Sequence, residues 1–183
     1  MQTEIIIAGF GGQGILFAGQ MLAYAGMAHG QNVTWLPSYG PEMRGGTANV
    51  TVIVGSEEIG APVVQHPQIA LVFNSPSMEK FEPVVKTGGL LVYNSSMVTA
   101  RPQRTDLTYF PVPANDIAQE LGNPTVANMV ALGALVAATG ILPLATVIQA
   151  MRDHLPPAKA ALLKDNEQAL ERGAALVEPA KTA

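Results

Sequence analysis

Near its start the chain reads IIIAGFGGQGILFAGQMLAYAG, from Ile5 to Gly26. The apolar run from Glu4 to Ala8 is short, β-branched and continuous, the pattern of a strand covered on both faces. Glycines follow at once. From Ile15 to His29, apolar residues with small Ala and Gly between them then describe a helix pressed against a sheet. Strand, tight turn and helix in that order form the first half of a βαβ unit, which commits the chain to an α/β fold.

Gly9, Gly11 and Gly14 fit the spacing GxGxxG. Glycine permits positive φ and close backbone approach, while a helix N-terminus offers free N–H groups and partial positive charge to an anion. A dinucleotide site also needs an acidic residue at the end of the second strand. That strand, NVTWLP from Asn32, ends Trp35-Leu36-Pro37 without a carboxylate, and no GxxxxGK[ST] stretch exists to hold a triphosphate. On these residues three readings stand open: an NAD or FAD site in a free-standing dinucleotide-binding oxidoreductase, a tight turn that packs helix on strand, or a contact with another cofactor or partner.

The rest of the chain continues the alternation. Strands are expected at Thr47 to Val54, at Ile69 to Asn74, within GGLLVYNSS from Gly88, and at Leu107 to Pro113. The last of these is an edge strand, because Pro111 and Pro113 cannot donate to a ladder. GSEEIGAP reads as a turn into a short partner strand, with Glu57 and Glu58 as turn charges. Ser75 or Ser77 is placed to cap a short helix. Helices follow at Ala114 to Leu121, Thr125 to Thr139, Pro143 to Asp153 and Lys159 to Val177. The expected architecture is one domain over residues 1–183: an open, mainly parallel Rossmann-like sheet with helices on both faces and a helical C-terminal third.

Composition removes several functions. An apolar share of 48% against 13% charged residues describes a globular chain able to bury a core. A net charge of -4 without a Lys/Arg cluster gives nucleic acid nothing to bind. With no cysteine, the chain cannot supply thiolates to an iron–sulfur cluster, a CxxC pair, a disulfide or a Cys-type zinc site. His29, His66 and His154 lack ligand spacing, so no metal is expected. The start carries no basic region ahead of an apolar one, and the apolar run Val126 to Gly140 is too short to span a bilayer. A cytoplasmic protein that does not enter a membrane is expected. Ser95 and Ser96 have no base placed to activate them, and Met21, Met27 and Met129 read as core filling.

The stretch SYGPEMRGG, from Ser38 to Gly46, places Glu42 and Arg44 among turn formers at the carboxyl end of the second strand, the side on which open α/β sheets bind ligands. An Arg fork suits phosphate or carboxylate, and Glu42 suits an ion pair with it or across a subunit boundary. A structural loop with one ion pair is the plain alternative.

GFGGQGI followed by SYGPEMRGG, in that order and spacing, closely resembles the gamma subunit of 2-oxoacid:ferredoxin oxidoreductases, over roughly Glu4 to Val177. The resemblance displaces the dinucleotide reading. It implies thiamine diphosphate and Mg²⁺ held by sister alpha and beta chains, iron–sulfur clusters on a ferredoxin-like delta subunit, ferredoxin or a similar acceptor, and coenzyme A as acyl acceptor. This chain has no GDG…N diphosphate–metal motif and no cysteine, so alone it is expected to be inactive. The resemblance implies a subunit that packs on the thiamine-binding chains and shares a coenzyme A surface, with 2-oxoglutarate the favoured oxoacid. Candidate contact residues are Gly9, Gly11, Gly12, Gln13 and Gly14 in the first turn, and Ser38, Tyr39, Glu42, Arg44, Gly45 and Gly46 in the second. Gln13 is expected to direct its amide at a ligand or interface. Exposed small-residue faces lead to the expectation that an isolated copy self-associates.

Overall fold

The computed structural model describes residues 2–39 and 47–177. Strands β1 (Gln2–Phe10), β2 (Asn32–Tyr39), β3 (Thr47–Gly55), β4 (Ile69–Val72), β5 (Leu90–Asn94) and β6 (Thr108–Val112) form one sheet in the order β2-β3-β1-β4-β5-β6. Its helices are α1 (Ile15–Ala28), α2 (Ser75–Phe81), α3 (Ala114–Glu120), α4 (Ala127–Thr139), α5 (Leu144–His154) and α6 (Leu163–Ala174). Short 3₁₀ segments run Glu82–Val84, Pro124–Val126 and Pro157–Leu162.

Pairs β1/β4, β4/β5 and β5/β6 are parallel, whereas β3 lies antiparallel to both β1 and β2. Five strands thus run one way and β3 alone opposes them. The simple βαβ reading changes here: α1 returns the chain to a strand parallel to β1, but β3 occupies the place beside β1. β6 is an outer strand, as Pro111 within it requires, and Pro113 lies just past its end.

The face bearing α1 and α3 to α6 holds the larger core. Ile5, Ile7, Val50, Val52 and Leu71 of the sheet meet Met21, Leu22, Met129, Leu132 and Leu135 of the helices. Helix α4 is buried along most of its length because it is apolar on every side. Helix α6 crosses it with backbone nearly in contact: a Cβ on Gly133 would strike the carbonyl of Leu170, and one on Gly173 the carbonyl of Val130. On the opposite face, α2 lays Met78 and Phe81 over Ile6, Ala8, Ala70 and Val72. No described helix is long and apolar enough to cross a membrane.

Beside α2 an ionic staple fixes the segment before β6. One Glu82 carboxylate oxygen accepts from the Gln103 N–H at 2.7 Å, from the Arg104 N–H at 3.4 Å and from the Tyr109 hydroxyl. Arg104 donates to the carbonyls of Glu82 at 3.1 Å and Val85 at 2.6 Å, and grips Asp106 through Nε at 2.9 Å and Nη2 at 2.5 Å.

Several local expectations need correction. Asn74, not Ser75 or Ser77, caps α2, its side chain accepting from the Ser77 N–H at 2.9 Å. No strand stands between Gly55 and Ile69, and Glu57 and Glu58 lie not in a hairpin but on the connection from β3 to β4, which β1 separates. The expected helices from Thr125 and from Lys159 each begin as 3₁₀ turns before α4 and α6.

Candidate functional site

Strands β1, β4, β5 and β6 all end at one rim, and the glycine turn sits there. Beyond Phe10 the chain reverses with the Gln13 N–H donating to the Phe10 carbonyl at 3.2 Å. Gly12 at φ 96° and Gly14 at φ 73° take the left-handed conformation that side chains resist. Gly9 is required by space rather than by torsion: a Cβ there would lie 2.6 Å from Gln13 Oε1 and 2.7 Å from Ile15 Cδ1. Gly11 and Gly12 are exposed at the tip.

Gln13 turns its side-chain carbonyl inward. Its Oε1 accepts from the Phe10 N–H at 2.6 Å and from Asn74 Nδ2 at 3.1 Å. One amide therefore ties the turn to its own strand and to the end of β4. Asn74 in the same geometry caps α2, so glycine turn and α2 are set relative to each other by neutral hydrogen bonds. Two further asparagines continue the rim. Asn128, at the start of α4, donates to the Gly14 carbonyl at 3.2 Å. Asn94, ending β5, donates to Asn115 at 2.7 Å and accepts from the Ala114 N–H at 3.2 Å.

Between these groups opens a cleft of about 440 Å³, walled by Gly12 to Gly14 and Phe17 on one side and by Thr125, Asn128 and Lys159 on the other. The first turns of α1 and α4 both border it, and neither helix has a side-chain cap at its N-terminus. The free N–H groups of α1 present partial positive charge to the space, whereas α4 continues a 3₁₀ turn capped by Asn123, and its Met129 N–H donates to Asn128 Oδ1 at 3.0 Å. Lys159 holds its ammonium 5.6 Å from the centre of the Phe17 ring, a cation–π distance. Among the described residues that line the cleft none is acidic, so the chemistry offered is that of a receptor for an anion with an apolar portion.

The second predicted turn is anchored at the same rim. Phe10 pairs with Thr47 and Tyr39 with Ala48, so the ends of the Ser38 to Gly46 stretch stand beside the glycine turn across β3. Ser38 is exposed at the end of β2. Gly40 through Gly46, and with them Glu42, Arg44, Gly45 and Gly46, lie outside the described residues, as does the side chain of Tyr39. Lys159, Asn128, Asn74, Asn115 and Phe17 were not singled out from sequence. Only Asn128 carried a local signal, as a polar break in an apolar helix.

With β3 inserted between β1 and β2, the end of β2 stands one strand further from the glycine turn than a dinucleotide site places it, and it still carries no carboxylate. The family profile described as pyruvate ferredoxin/flavodoxin oxidoreductase matches residues 4–176. The chain belongs to that family. It is 37% identical over 164 residues to the 2-oxoglutarate synthase subunit KorC of Methanothermobacter marburgensis, covering 86% of this chain and 88% of KorC. The crystal structure of the keto/oxoacid ferredoxin oxidoreductase gamma subunit from Geobacter sulfurreducens superposes with TM-score 0.82 at 29% identity, covering 96% of this chain and 95% of that one. The 2-oxoglutarate:ferredoxin oxidoreductase from Magnetococcus marinus, solved with 2-oxoglutarate, coenzyme A and succinyl-CoA bound, superposes with TM-score 0.86 at 26% identity, over 99% of this chain and 32% of that one. The chain also spans only 28% of the length of the ketoisovalerate oxidoreductase subunit VorA of M. marburgensis, at 38% identity over 136 residues. This pyruvate ferredoxin/flavodoxin oxidoreductase family member therefore has the fold of gamma-type chains, which occurs both as a separate subunit and within longer polypeptides.

Proposed function

We propose that this chain is the gamma subunit of a cytoplasmic 2-oxoacid:ferredoxin oxidoreductase complex, with 2-oxoglutarate as the oxoacid, and that its rim cleft receives part of coenzyme A. In this reading alpha and beta partner chains bind thiamine diphosphate and Mg²⁺, and a ferredoxin-like delta chain holds the iron–sulfur clusters. Thiamine diphosphate, when bound by those partners, supplies the carbanion chemistry of decarboxylation. The present chain has no motif for that group and contributes positioning.

The observation that carries the proposal is the cleft itself: the uncapped start of α1 and Lys159 border one space without an acidic lining residue. Coenzyme A combines phosphates with an apolar and amide-bearing arm, and the cleft combines an anion-receptive rim with Phe17 and Leu162. Likeness to KorC over nearly the whole of both chains supports 2-oxoglutarate as substrate. Gly11 and Gly12 keep the backbone exposed at the tip of the turn, and Arg44 and Glu42 are proposed as further contact residues.

The test is co-purification followed by ligand titration. Tagged chain is expected to bring down thiamine-binding partners, and the assembled complex to bind coenzyme A about tenfold more weakly with Lys159→Ala or Arg44→Ala, the cost of one charge-assisted contact. Assembly and affinity unchanged in both variants would remove the cleft from the ligand site. Turnover of an oxoacid or a pyridine nucleotide by the isolated chain would remove the subunit reading altogether.

A further inference from the structure

Each of the four strands that end at the rim is closed by a side-chain amide: Gln13 after β1, Asn74 after β4, Asn94 at the end of β5 and Asn115 after β6. The inner two are buried, Asn74 at 3% exposure and Asn94 at 0%. The outer two line the cleft.

An amide's oxygen and nitrogen are told apart by what they bond, and here backbone N–H groups, which can only donate, fix the orientation. The Ser77 N–H donates to Asn74 Oδ1 at 2.9 Å, so the Asn74 nitrogen is left to donate to Gln13 Oε1 at 3.1 Å. Gln13 Oε1 also takes the Phe10 N–H at 2.6 Å. The N–H groups of Ser96 and Ala114 donate to Asn94 Oδ1 at 3.3 Å and 3.2 Å, which leaves its nitrogen to donate to Asn115 Oδ1 at 2.7 Å. Both chains run the same way. Each ends on an outer amide whose oxygen is occupied and whose NH₂ has no partner among the described residues. Asn128, also on the cleft, repeats the pattern: its oxygen takes the Met129 N–H at 3.0 Å, and its nitrogen donates to the Gly14 carbonyl at 3.2 Å with one hydrogen to spare. Of the described amides lining the cleft only Asn166, on α6, has an oxygen without a partner, since its nitrogen goes to the Leu162 carbonyl.

We propose that Asn74 and Asn94 are positioning residues: they lock the Gln13 and Asn115 amides with NH₂ toward the cleft, so that this rim selects a ligand group with anionic oxygens, a phosphate or a carboxylate. A free amide turns over readily and offers donor or acceptor alike; these two cannot turn without stranding the nitrogen of a buried asparagine. The selection rests on the reading of the cleft as a ligand site and adds which chemical group that site recognises.

The test is made on the assembled complex, with coenzyme A, neutral pantetheine and 2-oxoglutarate as probes. Asn115→Asp keeps the Asn94 bond and exchanges the outward NH₂ for a charged oxygen; it is expected to weaken coenzyme A about a hundredfold and to leave pantetheine within about twofold. Asn94→Asp keeps both backbone bonds but has no hydrogen for Asn115, which must turn its own NH₂ inward and its oxygen to the cleft, with a loss of about thirtyfold for coenzyme A. In an Asn115→Ala background Asn94→Asp should add no more than about twofold, because its effect passes through Asn115. Loss of coenzyme A affinity identifies the anion as phosphate. A raised KM for 2-oxoglutarate with coenzyme A unchanged identifies it as a carboxylate, which upholds the donor rim and removes coenzyme A from the cleft. Both ligands unchanged in Asn115→Asp, or pantetheine weakened as much as coenzyme A, overturns the proposal, and so does a full Asn94→Asp effect in the Asn115→Ala background. Asn115→Asp, at a half-buried position with its Asn94 bond intact, decides the matter if Asn94→Asp does not assemble.

Discussion

Around the glycine turn the chain is tied together by neutral amides, Gln13, Asn74, Asn94 and Asn128, whereas beside α2 it is tied by ions, Glu82, Arg104 and Asp106. Both arrangements hold backbone segments that no ladder holds. Amides fix geometry without adding a net charge, so the positive potential of the α1 start and Lys159 at the rim stays uncancelled. A carboxylate such as Glu82 placed in the cleft would oppose an incoming phosphate. On the far side of the sheet it does no such harm, and there it can accept several strong hydrogen bonds. The comparison teaches a division of labour: ions on the far side of the sheet, where only order is needed, and amides where order is kept without placing a negative charge at the cleft.

Substitutions can break or sharpen that division. The largest effect is expected for Glu82→Ala, which strands two backbone N–H groups and the Tyr109 hydroxyl; calorimetry should show a loss of about 3 kcal/mol, or roughly 6–12 °C in Tm. Coenzyme A affinity of the assembled complex should not change below the new Tm. If affinity falls in step with stability, staple and site are not separate. Gly14→Ala comes next, because it forces a side chain to φ 73° and into Asn128. Urea unfolding should report a loss of about 2 kcal/mol, with coenzyme A affinity falling as well. Gln13→Ala removes two hydrogen bonds for about 1–2 kcal/mol, and hydrogen exchange at the Phe10 amide should accelerate while the Arg104 segment stays protected.

The smallest effect is electrostatic. The Arg104 guanidinium, with help from the Thr87 hydroxyl, holds the Asp106 carboxyl down at about 2. A group whose folded pKa is depressed stabilises above its unfolded value, near 4, and that contribution is lost as pH falls through about 2. Asp106→Asn should therefore flatten the acid limb of a stability–pH curve slightly and leave neutral pH almost unchanged, since the pair is open to solvent. Tyr109 behaves in the opposite sense: burial and its bond to Glu82 raise the phenol to about 12, so its contribution is complete below pH 10 and fades as pH rises toward 12.

The sequence made the elements legible where the signal was local. β1, the glycine turn and α1 follow from an apolar run, three spaced glycines and a small-residue helix, and the outer position of β6 follows from Pro111. What escaped was set by distant partners. Nothing near Thr47 announces that β3 will enter beside β1 in the reverse direction, because that choice rests on pairing from Phe10 across to Thr47. Gln13 reads as an outward amide, and only the fold, by bringing Asn74 against it, turns its carbonyl inward. Lys159 lies in an unremarkable Pro- and Ala-rich stretch and becomes relevant only once α5 and α6 deliver it to Phe17.

The glycine-to-backbone crossing of α4 and α6 also governs how this chain must be made. α4 is almost wholly greasy, and its cover is supplied by a helix that is synthesised more than twenty residues later. A nascent chain emerging from the ribosome therefore leaves one flank of α4 uncovered until α6 follows it out. Holding chaperones have their window in that interval, and premature stop codons before Leu163 leave a product destined for proteolysis.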